Sequence, residues 1–147
     1  MSSIDILLIE DNRHEIEMIL DALHEHDMNY NVLAFNDGVK ALDYFFGALG
    51  CLDEGTAELP KLIMLDLKLP KVDGLEVLKH LKSDERTRHI PIVIFSSSNE
   101  YRDKIESYSR GANSYMVKPL DAEVFSHSVA HIGSYWVAMN ATVYNKT

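Results

Sequence analysis

A chain of 147 residues with 14 basic and 23 acidic side chains, formally −9 at neutral pH, is of a size for one domain with a real core. Its acidity disfavours non-specific binding to nucleic acid or anionic membranes, so any effect on DNA is expected to run through a partner. Cys51 is the only cysteine and has no partner for an internal disulfide. No basic segment leads into an apolar stretch and cleavage site, and no apolar run approaches the ~20 residues of a membrane helix, so a reducing, cytoplasmic setting is expected.

Three short runs rich in Ile, Leu and Val, Ile6 to Ile9, Leu62 to Leu65 and Ile92 to Phe95, have the pattern of parallel strands buried on both faces. Tyr30 to Phe35 and Tyr115 to Val117 are weaker strand candidates. Helical spacing fills the intervals: Ile16, Ile19, Leu20 and Leu23, then Val39, Leu42, Phe46 and Leu49, then Leu75, Leu78 and Leu81. Tyr101, Ile105 and Tyr108 mark a fourth helix, and Phe125, Val129, Ile132 and Trp136 a fifth. Asn12 is placed to cap the first helix, Asp37 with Gly38 to open the second, Asp73 with Gly74 to make a turn before the third, and Asn99 to cap the fourth, with Gly111 and Asn113 ending the fourth. The Gly50 to Pro60 segment exceeds the ~2–6 residues usual for such a connection. The alternation predicts an α/β doubly wound sheet with five parallel strands and five helices on both faces. Residues 1–147 form one domain in this reading, with a short C-terminal extension from about residue 135.

Glu10 and Asp11, Asp66, Ser96 and Lys118 each stand just after one of these runs, and the carboxyl ends of parallel strands line a common crevice. Three carboxylates packed together raise one another's pKa values unless a cation joins them, so the cluster predicts Mg2+ or Mn2+, a hard ion suited to carboxylate and phosphate oxygens. Asp66 at a strand tip is a candidate nucleophile for forming an acyl phosphate. Lys118 supplies a positive charge and Ser96 a hydroxyl for the phosphoryl oxygens.

Taken together, Glu10-Asp11, Asp66 with Pro70 and Asp73-Gly74, Ser96, and Lys118-Pro119 resemble the receiver domain of two-component response regulators, over about residues 4 to 132. The resemblance implies a flavodoxin-like sheet of order 2-1-3-4-5, with Asp66 as phosphoacceptor. It also implies Glu10, Asp11, Asp66 and the Lys68 carbonyl as metal ligands, Lys118 and Ser96 as the phosphate-sensing pair, and Tyr115 as the aromatic switch. A cis bond between Lys118 and Pro119 is expected on the same ground. Lys68 and Ser98 fall where the family tunes phosphoryl lifetime. The Gly50 to Pro60 insertion, the Ser107 to Tyr115 run and the Tyr135-Trp136 ending look most like small regulators serving phytochrome-type histidine kinases.

Two other functions fit parts of the pattern. An aspartyl-phosphate hydrolase would want a second acid where Lys68 stands, and a receiver-like scaffold working without phosphorylation would be expected to lack the acceptor or the lysine. His127 and His131, four apart, are assigned to a solvated helix face. Val137, Met139, Val143 and Tyr144 extend apolar character past the domain's expected end, and with the fourth helix, fifth strand and fifth helix they suggest a homodimer face. The expected partner is thus a histidine kinase, with no direct nucleic acid and no membrane.

Overall fold

The computed structural model describes residues 3–48, 50, 52 and 59–143. Five strands, β1 (Ile6–Ile9), β2 (Val32–Phe35), β3 (Leu62–Leu65), β4 (Ile92–Ser96) and β5 (Ser114–Val117), form one parallel sheet of order β2-β1-β3-β4-β5. The expected class and strand order are both present. β1, β3 and β4 are buried throughout, whereas β2 and β5 at the edges are mostly half-buried.

Alternation along the strands divides the core in two, because successive side chains point to opposite sheet faces. Leu7, Ile9, Ile63, Leu65, Ile92 and Ile94 pack on one face against α2 (Gly38–Phe46) and α3 (Gly74–Ser83), through Phe45, Val77, Leu78 and Leu81. Ile6, Leu8, Met64, Val93 and Phe95 pack on the other against α1 (Arg13–Glu25) and α5 (Ala122–Gly133), through Ile19, Leu23, Phe125 and Val129. The strand order reverses between β1 and β3, which opens the crevice there.

Asn12 caps α1 as expected, and Asp37 and Asp73, expected as a helix opening and a turn, cap the next two helices, each fixing a helix start near that crevice. Asn12, Asp37 and Asp73 accept hydrogen bonds from the backbone N–H groups of Glu15, Lys40 and Glu76, contacts worth about 1 kcal/mol each. Asn99 does not cap α4 (Tyr101–Ser109). Glu100 occupies the cap position without a side-chain bond, while the Asn99 amide oxygen accepts from Lys104 Nζ at 2.6 Å. Asp121, which the spacing did not single out, caps α5 through Glu123 and Val124. The α4 stripe also faces outward: Tyr101, Ile105 and Tyr108 are exposed, and the buried residue on that helix is Ser107. Gly111 ends α4 in the left-handed region at φ 104°, as expected. Asn113 acts elsewhere, its side-chain oxygen accepting from Ile92 N and Lys82 Nζ.

After α5 the chain continues as a π-helical segment, Ser134–Met139, that buries Val137 and packs Trp136 on the second core. Leu49, Cys51, most of the Gly50 to Pro60 insertion and Tyr144 lie outside the described residues. Among the described residues no helix is long and apolar enough to cross a membrane.

Gly74 brings α3 up against the site. Its N–H donates to Leu67 O at 2.8 Å, and a Cβ there would stand 2.2 Å from Asp66 O and 2.6 Å from Leu67 Cα. Gly74→Ala is expected to cost roughly 1–3 kcal/mol, because backbone rather than a flexible side chain must move. A urea midpoint equal to that of the native protein would count against this close approach.

Candidate phosphoacceptor and metal site

Each side chain at the crevice is held by the strand end beneath it. Glu10 N donates to Phe35 O at 3.0 Å and Asp66 N to Ile9 O at 3.0 Å, which ties the first two carboxylates to the β2-β1-β3 ladder. Lys118 N donates to Ser96 O at 2.7 Å, fixing the end of β5 beside β4. The Lys118–Pro119 bond is trans, as are all peptide bonds of the described residues, so the expected cis bond is absent. Trans is the favoured isomer even for X-Pro, and the strand end alone brings the lysine into the crevice.

Lys118 Nζ bridges three carboxylates. It lies 2.5 Å from Glu10 Oε1 and 3.1 Å from Asp66 Oδ2, and it also contacts Glu15 Oε2. The other oxygen of Asp66 accepts from Leu67 N at 2.7 Å, and Glu10 Oε2 accepts from Asn12 N at 3.0 Å. Glu10, Asp66 and Lys118 are all buried. Burial opposes the Lys118 ammonium, yet hydrogen bonds to Glu10 and Glu15 and the charge of Asp66 outweigh it and raise its pKa above that of an ordinary lysine. Burial, helped by the charge of Asp66 and opposed by Lys118, pushes Glu10 up to about 8.

Ligand oxygens of Glu10, Glu15 and Asp66 lie within 4.8 Å of one another. Three carboxylates around one ammonium leave the cluster short of positive charge, and an all-oxygen donor set of this kind fits a hard divalent cation. The structure thus brings together Glu10, Asp66 and Lys118 of the expected site. Asp11 is exposed and outside that group of three, lining a groove with Arg13, Asn36 and Lys40. Lys68 is exposed in the loop two residues beyond Asp66.

Ser96 and Tyr115 meet through one loop residue, Ser98. The Ser98 N–H donates to Ser96 Oγ at 3.2 Å, and Tyr115 Oη donates to Ser98 O at 2.9 Å. The Ser98 hydroxyl donates to Asp103 on α4 and accepts from Glu100 N at 3.3 Å. Tyr115 is half-buried, and burial raises its pKa against the pull of its bonds to Ser98 and Ser96. A buried hydroxyl at the crevice is thereby connected to a side chain on the far edge strand. His127 and His131 are exposed, as expected, the former with its ring 5.2 Å from that of His26.

Sequence reasoning missed Glu15. The spacing Asn12-x-x-Glu15 reads as a capping box, in which the glutamate turns back to the helix start. Here the Glu15 N–H does bond Asn12, but its carboxylate goes to Lys118, a partner 103 residues away in sequence.

The response regulator receiver domain family matches residues 6–130, within which the carboxylate cluster, the hydroxyl and the lysine all lie. The chain belongs to that family. Among relatives of this receiver, the probable methanogenesis regulatory protein FilR2 of Methanothrix harundinacea (strain 6Ac) is 39% identical, over 92% of this chain and 84% of its own. Response regulator Rcp1 of Synechocystis sp. is 30% identical over 90% of this chain and 88% of its own; its Mn2+-bound form superposes with a TM-score of 0.81, covering 93% of this chain and 96% of that one. The phosphorylated cyanobacterial phytochrome response regulator RcpA is 32% identical with a TM-score of 0.83, covering 97% of this chain and 99% of that one. The receiver is thus similar to single-domain regulators linked to phytochromes. Receivers of this family are signalling proteins that partner with histidine kinases.

Proposed function

We propose that this receiver accepts a phosphoryl group from a histidine kinase onto Asp66 and answers by changing the surface around α4, β5 and α5. The observation that carries the reading is the buried Lys118, just after β5, held 3.1 Å from the carboxylate of Asp66, just after β3, with two further acids beside it. In the transfer, an Asp66 oxygen forms a bond to phosphorus as the bond from phosphorus to the kinase imidazole nitrogen breaks, and that nitrogen keeps the electron pair. Little covalent chemistry is asked of the protein beyond positioning and charge neutralisation. Glu10, Asp66, the neighbouring Asp11 and the Lys68 carbonyl would hold Mg2+ or Mn2+, which when bound offsets the repulsion between carboxylate and phosphoryl oxygens. Asp11 is exposed and next in sequence to Glu10.

The phosphoryl group brings about −1.5 to −2 charges, by analogy with other phosphorylated side chains, and new acceptor oxygens. Lys118 and the Ser96 hydroxyl are the donors that answer it. Drawing Ser96 Oγ away releases the Ser98 N–H, and Ser98 is the residue whose carbonyl holds Tyr115. A local charge event is thereby passed to β5 and α4, the two-state element such a switch needs. That face exposes Tyr101, Ile105, Tyr108, Leu120 and Val124, which suits a homodimer, strengthened by phosphorylation. The kinase is of the phytochrome type in this reading, supported by likeness to RcpA and Rcp1.

Incubation with candidate kinases and labelled ATP tests the transfer. A label on the receiver stable to neither strong acid nor base is expected, as for an acyl phosphate. A label stable to acid would place the phosphoryl group on a hydroxyl and overturn the reading. Light scattering with and without magnesium and beryllofluoride tests the dimer; monomers in every sample at tens of micromolar would leave that face to a different partner.

Metal binding should depend on pH through Glu10. Below about 8 the metal-free site keeps a proton on this side chain, which a divalent cation must expel. Magnesium affinity is therefore expected to rise by up to about tenfold per pH unit as pH approaches 8, then to level off. Without metal the sign for stability is opposite. The folded protein holds a proton that the unfolded chain, with a glutamate pKa of 4.5, has released, so this group's contribution falls as pH rises from 4.5 towards 8. Titrations showing a flat magnesium affinity across that window would contradict the assignment of Glu10 as a ligand.

A further inference from the structure

We infer that Glu15 is a positioning residue for Lys118, which holds the ammonium in the resting site and competes with the phosphoryl group for it. The inference rests on the reading of Asp66 as phosphoacceptor. A lysine has three N–H donors, and those of Lys118 are all engaged, by Glu10, Glu15 and Asp66. The Lys118 side chain is only 6% exposed, so water offers no ready alternative partner. A phosphoryl oxygen on Asp66 that takes a bond from Lys118 must displace one of the three carboxylates.

Exposure decides which one yields. The side chains of Glu10 and Asp66 are 2% and 9% exposed, whereas that of Glu15 is 27% exposed. Releasing Asp66 from Lys118 leaves an uncompensated charge in the interior, and releasing Glu10 leaves a buried polar group without its partner. Releasing Glu15 returns a carboxylate to solvent in the first turn of α1, where the helix dipole favours negative charge. Its charge also stands beside the incoming phosphoryl oxygens and repels them. Glu15 thus stabilises the resting arrangement and destabilises the phosphorylated one, so it sets how readily the switch turns on without touching the transferred group.

Magnesium and beryllofluoride titrations on the full chain test this, with native protein, Glu15→Gln and Glu17→Gln. Glu17 is exposed on the same helix, and its variant makes the same change in net charge. At saturating magnesium, Glu15→Gln is expected to bind beryllofluoride about threefold to tenfold more tightly than native protein, the scale of one partly exposed ion pair, while its affinity for magnesium alone is unchanged or weaker. Loosened packing of α1 would weaken both. Glu17→Gln should match the native protein in both titrations. Beryllofluoride binding by Glu15→Gln that is unchanged or weaker, or equal tightening in Glu17→Gln, overturns the role of Glu15. Failure of the native protein itself to bind beryllofluoride would instead bring down the phosphoacceptor reading, and this inference with it.

Discussion

Asp66→Asn is expected to abolish kinase-dependent labelling while leaving the fold intact. The amide keeps the size of the carboxyl group, and its oxygen can still accept from Leu67 N or Lys118 Nζ, the two partners Asp66 has here. What it loses is the anionic nucleophile, for which no neighbour substitutes: Glu10 is bound by Asn12 N and Lys118 Nζ at the end of another strand. The charge of Asp66 is also one of the causes that raise Glu10, so its removal relieves repulsion among the acids. Thermal stability without metal should therefore be equal to or above that of native protein. Labelling of the variant at the native rate would be incompatible with Asp66 as the acceptor.

Lys118→Met should act in the opposite sense on stability. Methionine fills the same corridor but leaves Glu10 and Asp66 facing each other, both buried, without the cation that joins them. Removing one partner from a buried ionic cluster costs about 3–5 kcal/mol, and the proton that Glu10 already holds below about 8 keeps the loss towards the lower end. A net loss of about 2–4 kcal/mol is expected without metal, or roughly 5–12 °C in melting temperature for a chain of this size. Magnesium should restore much of it by supplying the missing positive charge. The variant should also lose the change at Tyr115 on phosphorylation, since the phosphoryl oxygens have lost their ionic partner; tyrosine fluorescence or NMR of that ring reads this out. A melting temperature unmoved in the absence of metal would mean that Lys118 does not hold the carboxylates together.

Local pattern and tertiary context explain what the sequence reveals and what it hides. Ile6–Ile9 and Leu62–Leu65 were legible to the residue, because a strand buried on both faces leaves a continuous apolar run between polar ends. Strand ends then located Glu10, Asp66, Ser96 and Lys118 without any contact being known. Side-chain direction was less legible. The Tyr101, Ile105 and Tyr108 stripe marks a helix correctly, but periodicity does not say whether a stripe faces core or solvent, and here it is exposed. Asn99 has the chemistry of a cap but spends its oxygen on Lys104. Glu15 was concealed by a local role it only half performs, since its partner arrives from just beyond β5, 103 residues along the chain. Gly74, read from sequence as a turn and helix start, proves to be the point where α3 touches the backbone of Asp66.

The central claim, that Asp66 carries the phosphoryl group, is tested most directly by chemical mapping. Phosphorylated receiver would be reduced with borohydride, which converts an acyl phosphate to an alcohol and releases phosphate, and then digested and sequenced by mass spectrometry. Homoserine at position 66 is the predicted result. An unmodified Asp66 in protein that has incorporated label, or phosphate found on Ser96, Ser97 or Ser98, would contradict it.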